Sequence, residues 1–184
     1  MRHLAFPLTL ALLAAAPSPS PSAVPATVVL VVRHAERAPG SGDPPLSEAG
    51  KARAAVLAEI GKLTGVNAII TTQFQRTRQT AALLAESAGV TPHVVTTQGD
   101  IGTHAAEIAA AVRQHAGKTV LVVGHSNTVP AIVAALGGPK FPDLCEPEYD
   151  RLVTLILDPE GSVRIVQTRF GAPTPVDSGC AAMR

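Results

Sequence analysis

Thr27-Val28-Val29-Leu30-Val31-Val32-Arg33-His34-Ala35-Glu36-Arg37 is the stretch on which the reading of the fold turns. Its first six residues are an unbroken, mostly β-branched apolar run, the composition of a strand buried on both faces of a parallel sheet. The apolar character then stops abruptly, and two arginines, a histidine and a glutamate follow. Open α/β sheets bind ligands beyond the C-terminal ends of their strands, so a charged cluster in that position is where chemistry is to be sought.

Working outward, residues 39–45 form a loop of Pro, Gly, Ser and Asp, and Ser47 opens a helix to about Leu63. Helical spacing puts Ala52, Val56, Ile60 and Leu63 on its apolar face. Residues 66–71 read as a second buried strand, 76–88 as a helix stopped by Gly89, and 93–96 as a short third strand. A helix over 104–115, an apolar strand over 119–123 and a helix over 130–136 with proline in its first turn continue the alternation. Residues 152–157 and 163–170 alternate polar and apolar around Asp158-Pro159-Glu160-Gly161, the pattern of an edge hairpin. The succession predicts an α/β three-layer sandwich with a mostly parallel central sheet, helices on both faces and a C-terminal antiparallel hairpin.

Composition narrows the class. With 184 residues and 46% hydrophobic content, the chain can bury one core, so one domain is expected over residues 24–184, with a Pro- and Gly-rich tail from about residue 172. A net charge of +1, from 15 basic and 14 acidic residues, offers no broad basic face to nucleic acid. No apolar run reaches the roughly 20 residues of a membrane-spanning helix. Residues 1–23 run from a basic start through an apolar segment to Pro and Ser, the order of a secretory signal peptide, which predicts a periplasmic or secreted protein. In an oxidising compartment Cys145 and Cys180 are expected to pair and fasten the tail, which contributes about 3 kcal/mol.

Three strands far apart in sequence end in chemistry-bearing residues. The first delivers Arg33, His34 and Arg37, the second leads to Arg76 at a helix start, and the fourth ends in Gly124-His125-Ser126-Asn127. Guanidinium groups gathered on one rim repel each other unless an anion sits among them, and their planar donors suit phosphate oxygens. The first turn of the helix at Arg76 adds its amides to the same place.

These motifs resemble the histidine phosphatase superfamily, also called the phosphoglycerate mutase-like family, in its branch of small members. Arg33-His34-Ala35 is similar to the family's Arg-His-Gly signature, with alanine for glycine. Residues 71–80 are similar to its Ser-x-x-x-Arg-Ala-x-x-Thr motif, with Thr72 for serine, Phe74 for leucine and Thr77 for alanine. Gly124-His125-Ser126-Asn127 matches its second histidine motif, and residues 45–50 match its helix start.

The resemblance implies a phosphatase that works through a phosphohistidine. A neutral imidazole attacks phosphorus well, and an ordinary pKa of about 6.5 leaves it unprotonated at neutral pH. His34 is thus the expected nucleophile, with Arg33, Arg76 and His125 donating to the equatorial oxygens and Arg37 and Asn127 as further phosphate contacts. The family's proton donor commonly lies between the second arginine motif and the second histidine, where Asp100, His104 and Glu107 are available and Asp100, read as a loop residue, is preferred. No metal or other cofactor is expected, because the two histidines lack a ligand spacing and the arginines would repel a cation. The expected partner is a small phosphorylated substrate or a phosphoprotein. A mutase returning the phosphoryl group to its substrate, and a non-catalytic phosphate binder, are the alternatives. Specificity is expected from residues 40–44, 97–103 and 138–149, the last made acidic by Glu146, Glu148 and the adjoining Asp150, which slightly disfavours highly charged substrates.

Overall fold

The apolar run becomes strand β1 (Thr27–Arg33) in a computed structural model that describes residues 25–175. The other elements follow in the expected alternation: α1 (Glu48–Leu63), β2 (Ala68–Thr71), α2 (Gln75–Ala88), β3 (His93–Val94), α3 (Ile101–Arg113), β4 (Thr119–Gly124), α4 (Thr128–Ala135), β5 (Arg151–Leu157) and β6 (Val163–Arg169). The six strands form one sheet in the order β3-β2-β4-β1-β5-β6. β1 to β4 are mutually parallel, while β5 and β6 run antiparallel as the predicted hairpin. The expected signal segment lies outside the described residues, as does Cys180. Among the described residues no helix is long and apolar enough to cross a membrane.

The period-2 alternation of strands sorts the core into two layers. Val29, Val31, Ile70, Val120 and Val122 meet Ile108 and Val112 of α3 and Ile132 and Val133 of α4 on one face. Leu30, Val32, Ile69, Leu121 and Val123 meet Leu57 of α1 and Ala81 and Leu84 of α2 on the other. Each such aliphatic side chain, once buried, stabilises by about 1.5–3 kcal/mol.

The helices differ from expectation in two places. α1 does not bury the face of Ala52, Val56 and Leu63: Val56 is 40% and Leu63 88% exposed. The buried stripe is Gly50, Arg53, Ala54, Leu57, Ala58 and Gly61. Small residues win because α1 lies close against α2 and the loop after β1; a side chain at Gly61 would collide with buried Leu84. Arg53 can sit in this stripe because Glu36 accepts from its Nε and Nη2, and the Phe170 and Ala172 carbonyls take the rest. Second, α3 starts at Ile101 rather than His104, because the Asp100 side chain caps it by accepting from the Thr103 amide.

The start of α1 is tied to the end of β1. The Glu36 carbonyl accepts from the Ser47 amide at 2.9 Å, while Ser47 Oγ caps the helix through the Gly50 amide. A Cβ at position 50 would overlap that same Glu36 carbonyl, so glycine is needed for the approach. Gly50→Ala is therefore expected to destabilise the fold by about 1–3 kcal/mol, because the contact is with backbone and cannot relax by rotamer change. Urea denaturation checks this, and an unchanged midpoint would contradict it.

Candidate active site

Register brings the two histidines together. Arg33 of β1 is level with Gly124 of β4, and the His34 amide donates to the Gly124 carbonyl at 2.9 Å. His34 and His125 are thus the next residues on two paired parallel strands, and their ring centroids lie 5.4 Å apart. β2 flanks β4 on the other side, where Ile70 is level with Val122, which brings Thr72 beside His125. A cavity of about 560 Å³ opens at this rim, and Arg33, His34, Arg37, Phe74, Arg76 and His125 line it.

His34 is 4% exposed, and its Nδ1 donates to the Ala35 carbonyl at 2.8 Å, which leaves Nε2 with a free lone pair. Burial pushes its pKa from 6.5 to about 4, helped by Arg33, Arg76 and Arg37, although the Ala35 hydrogen bond acts the other way. The ring is therefore neutral and nucleophilic across the physiological range. Thr80 contributes at one remove, since its hydroxyl accepts from the Ala35 amide and holds the turn that carries His34.

His125 lies between two partners. Its Nε2 is 3.2 Å from the Thr72 hydroxyl, and its Nδ1 accepts a long 3.5 Å contact from Arg76 Nη2. An arginine only donates, so the ring proton sits on Nε2 and points to Thr72. Burial, then His34 and Arg76, lowers its pKa to about 3. The threonine that replaces serine in the second motif thus orients the second histidine. Arg76 itself stacks on the Phe74 ring at 4.2 Å and pairs through Nη1 with Asp43 at 3.3 Å. Asp43 also accepts from the Gln75 amide at the start of α2. Nothing in the sequence marks Asp43, because an aspartate among glycines and prolines reads as a turn residue.

Arg33 is buried in a different way from that expected. Its Nη1 donates to the carbonyls of Cys145, Glu146 and Glu148, and its Nη2 to the Glu146 carboxylate and the Tyr149 hydroxyl. It therefore anchors the 145–149 loop while one edge remains on the cavity wall. Arg37 is not a helical turn beyond it: the backbone stays extended, bridging Arg37 to Leu46, and the half-exposed side chain stands at the cavity mouth. Asn127 lines the cavity at the start of α4 with no capping bond of its own.

The proton donor preferred from sequence, Asp100, also serves as a helix cap. Asp100 lines the cavity, but its carboxylate accepts from both the amide and the hydroxyl of Thr103, and these bonds hold its pKa below the ordinary value. A carboxylate kept ionised by capping a helix is poorly suited to give up a proton. Glu107 is exposed on α3 and does not line the cavity. His104 does line it and is 2% exposed, and burial lowers its pKa while Glu107 and the Thr96 backbone act the other way.

The sequence model of the histidine phosphatase superfamily (branch 1) matches residues 29–98, which span β1, the first loop, α1 and the arginine motif. That match takes in the segment that carries His34 and Arg76. The fold is similar to that of the protein histidine phosphatase SixA solved with tungstate, at 23% identity and a TM-score of 0.61, covering 77% of this chain and 96% of that one. It is also similar to a mycobacterial glucosyl-3-phosphoglycerate phosphatase, at 17% identity and a TM-score of 0.59, covering 80% and 100%. No curated protein matches the sequence.

The two histidines carry a direct pH expectation. Both imidazoles have lower pKa values folded than the 6.5 of an unfolded chain, so the fold prefers them neutral and loses stability as pH drops from about 6.5 toward 4. In a histidine NMR titration, the His34 and His125 ring protons are expected to hold their neutral shifts from pH 8 to 5. Midpoints near 6.5 would contradict the burial argument.

Proposed function

We propose that the protein is a phosphatase that hydrolyses a phosphate monoester through a phosphohistidine at His34. The observation that carries this reading is the pair of neutral imidazoles on adjacent strand ends inside one arginine-lined cavity. Nε2 of His34 attacks phosphorus in line, and the bond to the leaving oxygen breaks. Arg76, the cavity edge of Arg33, and Arg37 bind the remaining oxygens, where charge accumulates in the transition state. His125 joins them once the approaching anion raises its proton affinity and its long contact to Arg76 is given up. Water then attacks the phosphohistidine, releasing phosphate and restoring His34 with its lone pair free. The names of the fold's neighbours, two of them phosphatases, support hydrolysis over transfer back to the substrate.

With para-nitrophenyl phosphate, whose leaving group needs no proton, His34→Ala is expected to lose about a thousandfold or more in kcat. Acid quenching of the wild type should trap a phosphorylated histidine that the variant lacks. Equal turnover by both proteins would remove His34 from the mechanism.

Export and a Cys145–Cys180 bridge belong to the same proposal. Cys145 sits in the loop whose carbonyls hold Arg33, so a bridge there would tie the tail to the cavity wall. Intact mass of the protein isolated from culture medium or periplasm should rise by two hydrogens on reduction; an unchanged mass would leave two separate thiols.

A further inference from the structure

Two acidic side chains line the cavity, Asp100 and Glu146, and only Asp100 has a task in the fold. Glu146 is 73% exposed, and what secures its loop is the backbone: the carbonyls of residues 145, 146 and 148 on Arg33. The neighbouring Glu148 is the acid that serves the structure, by pairing with Arg151 and Arg169.

The Glu146 carboxylate instead spans two arginines. One oxygen lies 3.2 Å from Arg33 Nη2 and the other 4.0 Å from Arg37 Nη2. Arg33 Nη1 is already spent on three carbonyls, and Nη2 is shared between Glu146 and the Tyr149 hydroxyl. The edges of Arg33 and Arg37 are those that the phosphate itself draws on, so Glu146 stands directly beside it, where a second anionic group of a substrate would come.

We propose that Glu146 is a specificity-determining residue: its carboxylate stands beside the phosphate site and repels a second anionic group there. The site then takes phosphate esters whose remainder is uncharged or cationic near phosphorus, and rejects those that carry a second phosphate or a carboxylate there. This rests on the phosphatase reading of the cavity.

Glycerol 3-phosphate and 3-phosphoglycerate test it, since they share a skeleton and a similar leaving oxygen but differ by one carboxylate. In Glu146→Gln, the ratio of kcat/KM for 3-phosphoglycerate to that for glycerol 3-phosphate is expected to rise about tenfold, the scale of removing one close like charge in a partly screened site. Glu160→Gln, on the β5–β6 turn, makes the same charge change elsewhere and should leave the ratio at the wild-type value. An unmoved ratio in Glu146→Gln overturns the inference, and so does an equal rise in Glu160→Gln. His34→Ala, assayed in parallel, separates the two levels. If it is inactive and the ratio is unmoved, the inference alone falls; if it turns over like the wild type, the phosphatase reading falls as well.

Discussion

The parallel ladder between β1 and β4, with Arg33 level with Gly124, is the constraint from which the site follows. It places one histidine directly after each strand, so the 5.4 Å separation of the rings is a property of the sheet and not of a loop. Shifting the pairing by one residue would turn Leu30 and Val32 to the wrong layer, so the same apolar burial that stabilises the sheet also fixes the register. Glycine at 124 is part of this: a side chain there would press on Thr128 and Ile132, which bring α4 up to the strand end.

Burial then decides protonation. Two imidazoles in water would titrate near neutrality, but here desolvation and the surrounding guanidinium charges act in the same direction and keep both neutral. The Ala35 carbonyl adds a preference between the nitrogens of His34, and Thr72 does so for His125. Nucleophilicity at Nε2 of His34 is therefore built in before any substrate arrives, without a neighbouring carboxylate to draw off a proton.

Much of this was legible in the sequence, for identifiable reasons. Strands buried on both faces are continuous apolar runs, and the charged residues that interrupt them at their C-terminal ends cannot be core, so His34, Arg76 and His125 stood out. What escaped notice depends on backbone or on small side chains. The buried stripe of α1 is written in Gly, Ala and one Arg, which a search for large apolar residues passes over in favour of Val56 and Leu63. Asp100 with Thr103 carried a helix-start signal, but Gly99 and Gly102 on either side made the segment read as loop. The partners of Arg33 are carbonyls more than a hundred residues away, which leave no trace in side-chain identity.

The guanidinium groups can stand this close because loops supply them with compensating groups. Arg33 has three carbonyls and Glu146; Arg76 has Asp43 and the face of Phe74; Arg37 shares Glu146. Asp43 and Glu146 come from loops on opposite flanks of the strand ends, after β1 and before β5. An entering phosphate competes with these two carboxylates for the same donors, so affinity is a difference between two anionic occupants and not the sum of the arginine contacts. On the proposed reading, the sheet sets where phosphorus meets His34, and the two loop carboxylates set how much negative charge can accompany it.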